Sequence, residues 1–213
     1  MPYRLTPRGE QRRACILAAA RRLFDRQGYR ATTMRQVVEA AGTSTGNLYF
    51  YFLDKEALLR AVVDQAVGEI EQAIDAAVAD RPPGPDSLAL AVYAGVVAAV
   101  EQQALTRVWL IEAGLPDLRA AIMRRFVARA RAYFERAPEL LRGLDAEIAA
   151  HAWHGAIFSV VEAATAGALP DDAATLGRFA ARWNLQALGL RPKTVEQALA
   201  ALGRVDADQN PPT

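Results

Sequence analysis

TTMRQVVEAAGTSTGNLYFYFLDKE, residues Thr32 to Glu56, reads as two short helices joined by a glycine turn and followed at once by the capped start of a third. Thr33 and Gln36 have the Ser/Thr-x-x-Glu/Gln spacing of a capping box, and the helix it opens runs through Val37, Val38 and Ala41 to a break at Gly42. Ser44 can cap the next helix. There Leu48 and Phe52, four apart, point to a core, which leaves Thr45, Gly46 and Tyr49 on the opposite face. Gly46 costs helix stability, so its outward place makes sense where something must approach the backbone closely. Asp54 caps the third helix of the stretch. The arrangement is a helix-turn-helix, whose second helix has the size and setting to enter the major groove of DNA.

Working outward, Arg8 to Gln27 carries apolar residues at Ile16, Ala20, Leu23 and Phe24, the stripe of an amphipathic helix that Gly28 ends. Arg12, Arg22 and Arg26 lie opposite, and the residues before Arg8 form a short basic arm. Downstream of Asp54 a 3.6-residue period persists to Asp80, a helix roughly 40 Å long. Arg81-Pro-Pro-Gly-Pro85 interrupts it. Beyond that break the pattern predicts helices at Asp86–Gln103, around Arg107–Ala113, and at Asp117–Arg136, Leu144–Ala166, Asp171–Leu188 and Thr194–Leu202, with prolines at the joints and no strand alternation. The fold class is therefore all-α. Residues 1–53 are read as a helix-turn-helix DNA-binding domain, 54–205 as a second helical domain, and 206–213 as a disordered tail.

Charge agrees with that division. The chain of 213 residues is 52% apolar with a formal charge of only +1. Residues 1–60, however, hold eleven Lys and Arg against five Asp and Glu, a net of +6, so the rest sums to −5. A basic head on an acidic body suits phosphate neutralisation by the head alone. With a single cysteine, Cys15, no internal disulfide can form, which fits a cytoplasmic protein; its place in an apolar helix pattern suggests a small buried hydrophobe. The N-terminus lacks the apolar core of a signal peptide, and the uncharged run Ser87 to Val100 is too short to span a bilayer, so no membrane partner is expected. Two histidines, one cysteine, no phosphate loop and no metal-ligand spacing argue against an enzyme, a metal site or any cofactor. The remaining alternative is an all-helical interaction module whose helix-turn-helix is structural.

On Ile16, Phe24, Gly28-Tyr29, Thr32-Thr33, Ala41-Gly42-Thr43-Ser44, Gly46, Leu48-Tyr49, Phe52 and Lys55-Glu56, residues 10–60 resemble the TetR family of transcriptional repressors. Val38 and Thr43 depart from it, where the family commonly has alanine and valine. The resemblance implies a homodimer that binds a pseudo-palindromic double-stranded DNA operator and is released by a small-molecule effector. In that setting Thr33, Arg35, Tyr49, Tyr51 and Lys55 would meet the backbone and Thr45, Gly46 and Asn47 base edges, with Ser44, at the start of the recognition helix, in the same DNA-binding set. It further implies that residues 54–205 are the effector-binding and dimerisation domain, dimerising through the last two long helices, with Trp153, Ile157, Val160, Ala164, Leu176, Phe179 and Trp183 as interface candidates. For the effector, the candidates are Trp109, Glu112, Phe126, Trp153, His154, Phe158 and Glu162. His154, Phe158 and Glu162 are four apart on one face, although a core histidine and a solvent-facing glutamate explain the same letters. The arginines between Arg124 and Arg136 are spread around their helix and suggest a solvated surface.

Overall fold

The computed structural model describes residues 6–108, 114–170 and 172–203, and every regular element among them is helical. The basic arm before residue 6, the candidates Trp109 and Glu112, and the tail 206–213 lie outside the described residues. Contacts divide the chain into two compact units, Met1–Val67 with Ala104–Leu118, and Gly68–Gln103 with Arg119–Thr213.

In the first unit α1 spans Pro7–Ala31, α2 Met34–Ala41 and α3 Thr45–Tyr51, and α4, Lys55–Val78, begins there. Thr6 caps α1 by accepting a hydrogen bond from the Gly9 amide, and Gly28, at φ 78° and ψ 166°, breaks its helical path. The Thr33–Gln36 box is present in both directions: Gln36 donates its amide to Thr33 Oγ1 at 3.3 Å, and Thr33 donates its own amide to Gln36 Oε1 at 2.8 Å. Gly42 then turns the chain in the left-handed region, φ 59°, where a side chain would be strained. Ser44 and Asp54 open the next two helices by accepting from the amides of Asn47 and Ala57. These local bonds aim the helices so that Ile16, Ala20, Phe24, Val37, Leu48, Phe52, Leu58 and Leu59 are all buried. Full burial of each large side chain contributes about 1.5–3 kcal/mol. Cys15 is exposed rather than buried: it lies one residue, about 100°, off the Ile16–Ala20 stripe.

The second unit contains the later part of α4, then α5 (Pro85–Glu101), α7 (Pro116–Arg136, from Arg119 onward), a 3-10 turn at Pro138–Leu141, α8 (Ala146–Thr165), α9 (Ala173–Ala187) and α10 (Pro192–Ala200). The 3-10 turn has no counterpart in the helix pattern of the sequence; the short helix α6 occupies Gln103–Arg107, and most of the helix expected around Arg107–Ala113 lies outside the described residues. Helix α5 is the hub, packed on α8, α9 and α10 and burying Leu88, Leu90, Val92, Tyr93 and Val96. Its contact with α9 depends on Gly177, where an added Cβ would come within 2.8 Å of the Tyr93 ring. No described helix is long and apolar enough to cross a membrane.

Candidate nucleic-acid interface and body cavity

Helix α3 presents one closed and one open face. Leu48 and Phe52 are buried, and the Arg13 guanidinium lies 5.4 Å over the Phe52 ring. Opposite them Ser44, Thr45 and Gly46 are exposed, Asn47 is half-buried, and Tyr49 is 49% exposed. Around Gly46 an added Cβ would meet nothing within 4 Å, so the position is open to an approaching surface. Tyr51 is half-buried and edge-on to Phe50, with ring centres 5.0 Å apart. Thr33 is exposed at the start of α2, where free amides favour an anion. Arg35 is also exposed and pairs with Glu39 at 3.0 Å, a surface contact weak enough to be exchanged for a phosphate.

Lys55 stands apart from this set. Its ammonium donates to the carbonyls of Tyr29 and Thr32, both at 3.0 Å, and sits 4.4 Å over the Tyr29 ring. These bonds tie the end of α1 to the start of α4, so its visible role is to position the head. Phe50, at 65% exposure, joins the open face although its apolar letter gave no hint of that.

Within the second unit, α4, α5, α7 and α8 line a cavity of about 880 Å³. Of the expected effector residues, Phe126, Trp153 and His154 reach it. Phe158 and Glu162 instead meet Arg119, which lies 4.8 Å over the phenyl ring and pairs with the carboxylate at 3.1 Å. His154 stacks on Phe126 with ring centres 5.4 Å apart and planes 13° apart. The imidazole is only 9% exposed, and its Nε2 has no hydrogen-bond partner among the described residues. Burial, reinforced by nearby His151, pushes its pKa down to about 4, so the ring is neutral at physiological pH.

The charged side of the cavity is not evident from the sequence. Asp75, Arg81, Arg129 and Arg136 line it beside Tyr133. Tyr133 reaches the Pro-Pro-Gly-Pro segment, where its hydroxyl receives the Gly84 amide at 2.8 Å and lies 2.7 Å from Ser87 Oγ. On α4 and α7, Glu71 pairs with Arg125 and Asp75 with Arg129. The four-residue spacing of acids on one helix and arginines on the other is the signal in the letters, and it carries meaning only when the two helices are read together.

The expected dimer residues separate by burial. Trp153, packed edge-on to Phe134 at 5.6 Å, and Ala164 and Leu176 are buried within the unit; Ile157 lines the cavity, and Val160 is half-buried. Phe179 and Trp183 are 54% and 57% exposed, stacked with ring centres 6.2 Å apart. Ile148, 71% exposed on α8, and Leu144 before it are further large apolar residues at the surface.

Comparison with known proteins matches residues 16–62 to the family model of "Bacterial regulatory proteins, tetR family". The HTH-type transcriptional regulator EthR of Mycolicibacterium smegmatis is 34% identical over 37% of this chain, and the match spans 36% of that protein. The chain thus aligns with about a third of that curated relative's length. Among solved structures, SmeT, the repressor of the Stenotrophomonas maltophilia multidrug efflux pump SmeDEF, has a TM-score of 0.68 at 24% identity, covering 82% of this chain and 89% of SmeT. RolR in complex with resorcinol has a TM-score of 0.64 at 22% identity, covering 90% and 94% of the two chains. Those two likenesses extend the shared fold through the second unit.

Proposed function

We propose that the chain is a TetR-family transcriptional regulator, a ligand-responsive repressor that binds a pseudo-palindromic operator as a homodimer; the match of residues 16–62 to that family's model supports the assignment. The observation that carries this reading is the open face of α3, where Thr45, Gly46, Asn47 and Tyr49 stand opposite a closed apolar face. Thr45, Gly46 and Asn47 read base edges, and Thr33, Arg35, Ser44, Tyr49 and Tyr51 meet phosphates. One short helix covers only a few base pairs. Two heads a helical turn apart supply the remaining specificity, and the exposed Phe179, Trp183 and Ile148 of α8 and α9 are the apolar surface that would pair them.

The cavity is the effector site in this reading, and α4 is the moving part, since Ile74, Asp75 and Val78 near its end line the cavity. An effector that favours one setting of α4 shifts the population away from the DNA-binding spacing. Complexes of RolR with resorcinol and SmeT with triclosan support a small molecule in this fold.

The test is binding of the purified chain to the DNA upstream of its own gene, against competitor DNA, at 50 and 200 mM salt. Sequence preference and a loss on the order of 10³-fold with salt are expected. Tyr49→Ala should cost roughly tenfold per head, hence about hundredfold for a dimer, without changing its mass. Absence of both preference and salt dependence would refute DNA regulation; full affinity in Tyr49→Ala would remove that residue from the interface.

A further inference from the structure

We propose that the cavity takes an aromatic carboxylate, a flat apolar body with a single negative charge, and that this charge takes Arg129 away from Asp75. The inference rests on the reading of the cavity as the effector site and adds the chemistry of its occupant.

Charge selects the sign. Arg81, Arg129 and Arg136 face a single carboxylate, Asp75, among the described lining residues, and His154 adds no charge because burial keeps it neutral. An anion is therefore attracted to the arginine side, whereas a cation meets a net positive rim.

Shape selects the body. Phe126 and His154 form a stacked pair beside Trp153 and Ile157, while Ile74, Val78, Leu88 and Val92 supply aliphatic walls. A ring can stack here and bury its faces. A charged group among these apolar side chains would lose its water without gaining an ionic partner, so the ligand's charge lies at the arginine end alone.

The ion pairs supply the coupling. Glu71–Arg125 and Asp75–Arg129 are two rungs one helical turn apart between α4 and α7. Only the second rung lines the cavity. Its side chains are 63% exposed at Asp75 and 34% at Arg129, so the bond is screened by solvent and contributes little to the fold. A ligand carboxylate can occupy the flat guanidinium fork with two parallel hydrogen bonds, in place of Asp75. The Glu71 rung stays closed, with its carboxylate side chain only 18% exposed. Binding thus frees the last turns of α4 from α7 and leaves the turn before them attached.

Isothermal titration with 2-naphthoate and its neutral counterpart 2-naphthamide tests this on the full chain. The acid should bind at least about tenfold tighter than the amide, the scale of a charge-assisted pair. Arg129→Gln should remove that preference. Asp75→Asn, which removes the competing carboxylate, should strengthen the acid about three- to tenfold and leave the amide unchanged. Equal binding of acid and amide, no binding of the acid, or weaker acid binding in Asp75→Asn overturns the proposal. Operator binding by the ligand-free protein, measured in parallel, separates the two readings. DNA binding with no preference for the acid defeats the ligand assignment alone, whereas acid preference without DNA binding supports the ligand chemistry and defeats the regulator.

Discussion

The head and the body use aromatic residues in opposite ways. Tyr49 on the seven-residue helix α3 is open, while Phe52, the residue that ends it, is closed, and both lie within eight residues of Ser44, which fixes the start of the helix. In the body, Trp153 on α8 is buried against Phe134 while Trp183 on α9 is more than half exposed. Nothing within either helix separates these two tryptophans. The difference comes from packing across the unit: Trp153 meets Phe134 of α7, whereas Trp183 stays exposed beside Phe179 of its own helix. The head thus carries its proposed function in local geometry, and the body in long-range packing.

The largest effect should come from the exposed tryptophan. Trp183→Glu places a charge on an already exposed position, so the fold should survive, while a dimer built on this face should fall apart. Sedimentation equilibrium should then give a monomer mass, with operator affinity reduced on the order of a thousandfold through loss of the second head. An intact dimer would move the interface elsewhere and weaken the contrast between the two tryptophans.

His154 sharpens the comparison from the buried side. Its folded pKa of about 4 lies below the ordinary value of 6.5. The unfolded chain therefore takes up the proton first, and the stability that the neutral ring supplies is intact above pH 6.5 and lost as pH falls towards 4. Denaturant unfolding should show the wild type losing about 2 kcal/mol more than His154→Phe between pH 7 and 4.5. Parallel losses would mean that the imidazole is hydrated in solution.

The smallest effect tests the head. Gly46→Ala adds a methyl to open space on a helix and should raise stability by about 0.5–1 kcal/mol. It should nevertheless weaken operator binding, because the methyl occupies the side offered to DNA. A gain in stability with unchanged DNA affinity would show that the open face of α3 does not closely approach the duplex at Gly46.

The same contrast explains what could be read from letters. The Thr33–Gln36 box, the Gly42 turn and the Ser44 and Asp54 caps join groups within about one helical turn of each other, so spacing alone reveals them. Lys55 was legible as a cation but not as a stitch, since its partners at Tyr29 and Thr32 are more than twenty residues away. Cys15 and Ile16 are neighbours in sequence and differ completely in burial, a difference that the 100° step sets once the stripe is drawn correctly. In the body, His154, Phe158 and Glu162 share a helix face but not a destination: the first reaches the cavity, and the others meet Arg119. Arg129 became informative only when Asp75, on another helix, stood beside it.

Tyr133 bears on time rather than place. Its hydroxyl holds Gly84 and Ser87, and Pro82, Pro83 and Pro85 limit the backbone on either side of Gly84, so this edge of the cavity is ordered before any ligand arrives. A rim with so little ordering entropy left to lose does not need to close like a lid. Ligands of similar size would then enter at similar rates, and the cavity would distinguish them by how long each one stays.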